Sequence, residues 1–203
     1  ILDQQVNGAP LVYFDNAATT QKPQLVMDAL QHYYTKDNAN IHRGLHTLAE
    51  RATTGYELTR KKLAEFLHAP SSDQIIFTSG TTAGINLVAQ TFGRANFKTG
   101  DVILVSNLEH HSNIVPWQMI AQETGAEVQV IPVDDLGVLD IAAYQSLLST
   151  KVKLVAVNHV SNAIGTINPI KQMIELAHQV GAKVLIDGAQ SVAHLAVDVQ
   201  ALD

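Results

Sequence analysis

Three short runs constrain this chain more than anything else in it: VILVS (Val102–Ser106), KLVAVNHV (Lys153–Val160) and KVLID (Lys183–Asp187). Each is dominated by consecutive aliphatic residues, the pattern of strands covered on both faces rather than one. Val184, Leu185 and Ile186 are expected to be buried in this way. EVQVIPV (Glu127–Val133) reads as a further strand. Helical stretches lie between them: Pro116–Thr124, IAAYQSLL (Ile141–Leu148) with Asp140 as its cap, and IKQMIELAHQV (Ile170–Val180) with Asn168 and Pro169 at cap and first helical position. Strand–helix–strand repetition with apolar strands predicts a three-layer α/β/α fold around a mostly parallel sheet.

The earlier part of the chain is read in the same way. LVYF (Leu11–Phe14), QIIFTS (Gln74–Ser79) and, near the end, HLAVDV (His194–Val199) have strand composition. Pro23 suits the first turn of a helix over QLVMDALQHYYTK, and INLVAQTF (Ile85–Phe92) is helical. Thr47-Leu48-Ala49-Glu50 has the capping-box form and opens a long helix to about Leu67. The reading is one large domain over 1–203, with 1–45 as an N-terminal arm. The alternation stops at Asp203 directly after a strand, so the chain is expected to be the front part of a longer protein, truncated at its C-terminal end.

Composition narrows the function. Of 203 residues, 46% are apolar and 16% charged, enough for a packed core. The net charge of -6 with no basic run argues against nucleic acid or an anionic membrane as partner. No apolar stretch is of membrane-spanning length and ILDQQVNGAP is not a signal peptide, so a cytoplasmic protein is expected. There is no cysteine, which removes disulfides, cysteinyl metal sites and thiol chemistry by these residues.

Right-handed crossovers place every strand-to-helix loop at the carboxyl edge of a parallel sheet, where ligands of open α/β sheets bind. That gathers Thr81, Thr82, His110, His111, Asn162, Asp187 and Gln190. SGTTAG (Ser79–Gly84) at a strand-to-helix junction suits a phosphate cradle and equally well a threonine-capped helix; it matches neither the nucleoside-triphosphate nor the dinucleotide motif. In EHHSN (Glu109–Asn113) an imidazole can stack on a flat ring or move protons. Neighbouring histidines on a loop point apart and no HExxH accompanies them, so no metal is expected. Asp187 closes an apolar strand, and a carboxylate taken from water there calls for a positive partner. It is either a plain helix cap or the carboxylate that keeps a pyridinium nitrogen charged, as pyridoxal 5'-phosphate enzymes require. A phosphate cradle, an imidazole, an aspartate at a strand end and the Gln190 amide together make the second reading the stronger.

The stretches YFDNAATTQKP, NIHRGLHTLAERA, FTSGTTAGINLVA, LEHHSNIVPWQ, NHVSNAIGTINP and VLIDGAQSVAH resemble the Suf-type cysteine desulfurases and selenocysteine lyases, in the class V aminotransferase group of fold type I pyridoxal-phosphate enzymes. The resemblance runs from about Leu11 to Asp203. It implies that Asp187 pairs with the pyridine nitrogen, Gln190 bonds the ring's phenolic oxygen, and His110 stacks on the ring and assists proton transfer. Thr81 and Thr82 would hold the phosphate, and Asn162 would lie beside the ring oxygen and the substrate carboxylate. Ala17 and Ala18 would line the pocket, with His42 and Arg43 near its mouth. The implied reaction takes sulfur from L-cysteine, leaving alanine and a persulfide for iron–sulfur cluster assembly, with a homodimer and a sulfur-acceptor protein as partners. The family's Schiff-base lysine, its nucleophilic cysteine and its carboxylate-gripping arginine have no match in these residues. Lys183 is no substitute, since it starts the strand that Asp187 ends, roughly 13 Å away at strand rise. These 203 residues alone are therefore expected to be inactive. The alternatives are a relative acting on selenocysteine or another class V substrate, or a non-catalytic dimerisation or binding fragment.

Overall fold

The computed structural model describes residues 1–203, which divide into two compact units, Ile1–Glu65 and Phe66–Asp203. In the first, β1 (Gln5–Val6) and β2 (Ala9–Pro10) form a small antiparallel hairpin. Its turn, Asn7-Gly8, has positive φ at both residues, the conformation that Asn-Gly accepts at little cost. The strand expected over Leu11–Phe14 does not form: this stretch has no ladder partner, and Phe14 is 92% exposed. Strand composition without a neighbouring edge leaves backbone groups to water, so propensity alone does not decide. Helix α1 (Gln24–His32) starts after Pro23 and widens into a π-type turn over Tyr33–Asp37.

Helix α2 (Thr47–Phe66) begins where expected, with a different cap. His46 supplies it: its carbonyl accepts from Glu50 N and its Nδ1 from Ala49 N, so Thr47 already lies inside the first turn. Before it, His42 adopts φ 67° and its Nε2 lies 3.3 Å from Glu57.

The second unit carries the sheet. Helix α3 (Thr81–Val88) runs through a π-type turn into the short α4 (Arg94–Asn96). Then β3 (Val102–Ser106), α5 (Val115–Thr124), β4 (Glu127–Ile131), α6 (Ile141–Leu147), β5 (Val152–Asn158), α7 (Ile170–Gln179), β6 (Lys183–Asp187) and α8 (Val199–Leu202) follow in turn. The four strands are all parallel, in the order β4-β3-β5-β6. Val102, Leu104, Val155 and Val157 project to one face and pack with Tyr144 of α6 and Met173 and Ala177 of α7. Ile103, Val105, Leu154 and Ala156 project to the other, against Ile85, Ala89, Trp117 and Ile120. Helices thus cover both faces, and the α/β/α expectation holds.

Two further expected strands are absent. Ser72–Gln74 is a single tight turn and Ile75–Ser79 is not in a strand; His194–Asp198 is a turn and irregular backbone. Val184, Leu185 and Ile186 do lie in a strand, but half-buried, because β6 pairs only with β5 and is an edge. Pro169 sits at the cap position of α7 rather than inside it, while Asp140 caps α6 as expected, accepting from Ala143 N at 2.9 Å.

The fully buried Tyr144 donates its hydroxyl to the Met173 carbonyl at 2.8 Å, and burial pushes its phenol above the ordinary range. Tyr144→Phe removes one buried bond to a carbonyl that keeps its helical partner, and is expected to cost about 0.5–1.5 kcal/mol, read as a lower urea midpoint with unchanged slope.

Candidate active site

The carboxyl ends of β3, β5 and β6 lie side by side, and the loops that leave them build the site. Asn158 and Asp187 are register partners at the last positions of β5 and β6. Asp187 is 7% exposed; its Oδ1 accepts from Ala189 N at 2.9 Å and its carbonyl accepts from His159 N at 3.0 Å. The turn is closed by Gly188 O, which accepts from Ser191 N and Val192 N, and it presents the half-buried Gln190.

Beyond β3 stands a buried polar cluster that sequence reasoning missed. Glu109, 8% exposed, is met by four donors: Ser106 Oγ at 2.5 Å, Asn158 N at 3.0 Å and Asn158 Nδ2 at 3.3 Å on Oε1, and Asn113 Nδ2 at 2.7 Å on Oε2. Trp117 Nε1 donates in turn to Asn113 Oδ1, and Asn168 Nδ2 to Asn158 Oδ1. Burial raises the Glu109 carboxyl above its ordinary range, and the Asp187 charge adds to that; the bonds from Ser106, Asn113 and Asn158 oppose it. The available signal was the Glu109, Asn113, Trp117 spacing of four, which aligns one polar chain leading into a helix.

His110 follows Glu109 and is exposed. Its Nδ1 accepts from Ser112 N at 3.1 Å, so in the neutral ring the proton sits on Nε2. His111 turns away, its ring edge-on to that of His110. The turn His111–Asn113 packs against α3. Helix α3 opens at Gly80, whose φ of +150° suits glycine, and no side chain caps it. The threonines therefore do not serve as its cap. Thr81 and Thr82 stand exposed on its first turn, where backbone N–H groups have no intrahelical acceptor. Asn162 is exposed on the loop after β5, whose backbone is tied by Ser161 N to Thr166 O.

Six of the expected residues, Thr81, Thr82, His110, Asn162, Asp187 and Gln190, thus share the second unit, on loops and a helix start at its sheet edge. Ala17, Ala18, His42 and Arg43 belong to the first unit: Ala18 N closes a turn on Asp15 O, and Arg43 N bonds Ile41 O. Chemically the sheet edge offers two buried carboxyls, neither in any ion pair of the structure. Beside them are an Nε2–H imidazole and an uncapped helix start. Such a donor set fits a flat cation that also carries an anionic arm.

A parallel sheet between helices with this edge is the frame of the aminotransferase class-V family, whose profile matches residues 12–203, and the chain belongs to that family. Its members are pyridoxal-phosphate enzymes. Within it, the chain is 59% identical over its full length to the cysteine desulfurase of Synechococcus elongatus, covering 32% of that protein, and 50% identical to the cysteine desulfurase of Escherichia coli strain K12, covering 50%. Among solved structures, the apo cysteine desulfurase from Thermococcus onnurineus superimposes with a TM-score of 0.89 at 42% identity, over 94% of this chain and 47% of that one. The Escherichia coli cysteine desulfurase CsdA gives 0.84 at 40%, over 93% and 47%. The chain spans half or less of the length of these relatives.

Proposed function

We propose that this chain is the cofactor-binding part of a pyridoxal-phosphate-dependent cysteine desulfurase, which converts L-cysteine to alanine and a persulfide for iron–sulfur cluster assembly. The observation that carries this is Asp187: a buried carboxylate at a strand end, in no ion pair, on the same sheet edge as the loop that presents His110. Pyridoxal 5'-phosphate, when bound, supplies the electron sink for the reaction. Asp187 keeps the ring nitrogen protonated. Thr81, Thr82 and the first N–H groups of α3 hold the phosphate, with the helix dipole in support. Gln190 bonds the phenolic oxygen and Asn162 orients the substrate carboxylate. His110 covers the ring face and moves a proton at Nε2, the nitrogen that Ser112 leaves unengaged.

The sulfur-accepting nucleophile must be a thiolate, and the chain holds no cysteine, so that group comes from outside these residues. A homodimer and a protein acceptor for the sulfur complete the proposal, in a cytoplasmic setting. No helix is long and apolar enough to cross a membrane.

The test is alanine formation from L-cysteine by the natural polypeptide supplied with pyridoxal 5'-phosphate and a thiol. Turnover of cysteine to alanine supports the reading; binding of the cofactor with no alanine formed rejects it. His110→Ala is expected to reduce turnover by roughly 10²–10⁴-fold, the range of a general acid–base group. A rate equal to that of the unaltered protein would remove His110 from the chemistry.

A further inference from the structure

Glu109 is used by none of the roles above, yet it is the most elaborately held ionisable side chain at the sheet edge. Its four donors come from three different places: Ser106 at the end of β3, Asn113 in the turn before α5, and Asn158 at the end of β5. Asn158 is the register partner of Asp187, which closes β6. One residue further along, the chain presents His110. The carboxyl therefore ties β3 to β5, whose last residue is the register partner of Asp187, and the Asp187 charge acts on it. The other titratable groups nearby turn elsewhere. His110 is engaged by Ser112, His111 lies edge-on to it, and His159 meets Asp187 only through a backbone N–H bond to its carbonyl. No lysine or arginine forms an ion pair with either acid.

We propose that Glu109 is a positioning residue that couples electrostatically to Asp187: a cation seated on Asp187 drives a proton from the Glu109 carboxyl to solvent. With the site empty, two buried carboxyls oppose each other, and protonation of Glu109 relieves the repulsion. With a protonated ring on Asp187, that repulsion is neutralised, and the four donors favour the carboxylate. By linkage, the ionised Glu109 then strengthens the hold on the ring nitrogen, by about tenfold in affinity for each pKa unit by which the cation lowers the carboxyl. This rests on the reading of Asp187 as the ring-nitrogen partner.

The experiment counts protons released when the natural polypeptide, freed of cofactor, binds pyridoxal 5'-phosphate, by calorimetry in two buffers of different ionisation heat across pH 5–8. Protons from the cofactor itself are common to all variants and cancel in the differences. Glu109→Gln is expected to release fewer protons than the unaltered protein, by up to one, over a window above the ordinary carboxylate range. Ser106→Ala removes a bond that favours the carboxylate, so its window is expected at higher pH; it stands in where the glutamine variant does not fold. Proton counts that agree between unaltered protein, Glu109→Gln and Ser106→Ala at every pH overturn the coupling. Asp187→Asn serves as the separate control: if it binds the cofactor as the unaltered protein does, the reading of Asp187 fails, whatever the protons show.

Discussion

Replacing Glu109 with leucine is expected to lower the stability of the fold by about 2–4 kcal/mol at neutral pH, although the leucine is apolar and the site is buried. The change removes one acceptor group and leaves the Asn158 N–H, the Asn113 amide and the Ser106 hydroxyl facing a hydrocarbon. Each buried donor left without a partner costs about 1–3 kcal/mol. Part of that is offset because a carboxylate no longer has to be held out of water, and the Ser106 hydroxyl can rotate, so the sum falls short of three full penalties. Glu109→Gln keeps the shape and one acceptor oxygen, and is expected to lose about half as much. The pH dependence follows from the raised carboxyl. The folded state binds the proton more tightly than the unfolded chain, so the stability it contributes is present at low pH and is lost as pH rises past the unfolded value toward the raised one. Urea titrations at several pH values measure both effects. A leucine variant with an unchanged midpoint would show that the donors find other partners.

Asp187→Ala is expected to weaken pyridoxal 5'-phosphate binding by the natural polypeptide by roughly 30- to several-thousand-fold, the 2–5 kcal/mol of truncating one partner of a desolvated charge pair. The fold should tolerate the change better than it tolerates the loss of Glu109. The Asp187 carboxylate accepts from Ala189 N in a turn where Ala189 is exposed and water can replace the bond, whereas Glu109 gathers four donors from the sheet edge. Equilibrium dialysis of the cofactor, with circular dichroism as the check on folding, separates the two. A folded Asp187→Ala protein with full affinity would mean that the carboxylate serves only its turn.

The sequence is a good guide where one physical effect acts alone. VILVS and KVLID are strands to the residue because a run of aliphatic side chains at a buried sheet admits few alternatives. The position of Asp187 at a strand end, and its burial, follow from the same run. Ile75–Ser79 and Leu11–Phe14 carry similar composition and are not strands, since a strand needs a partner edge that composition does not record. His46 displaces Thr47 as the cap of α2 because an imidazole nitrogen accepts a backbone N–H as a hydroxyl would, which capping preferences undercount. The Glu109 cluster was the hardest to see. Its partner Asn158 lies 49 residues away, and neither residue has an unusual neighbourhood along the chain. What makes the pair is the adjacency of β3 and β5, a property of the assembled sheet.

That adjacency also imposes a timetable. β3 is synthesised before any other strand of the sheet, yet it ends up between β4 and β5, and β6 can join only once β5 is in place. A chain emerging from the ribosome can lay β4 against one side of β3 early, while the opposite side waits through α6 for Val152–Asn158. During that interval Val102–Val105 form a bare apolar edge, and the Glu109 carboxyl lacks the Asn158 N–H. Parallel pairings of this kind close long loops and form slowly. The residues that later assemble the site are thus the ones most in need of shelter while the polypeptide is being made.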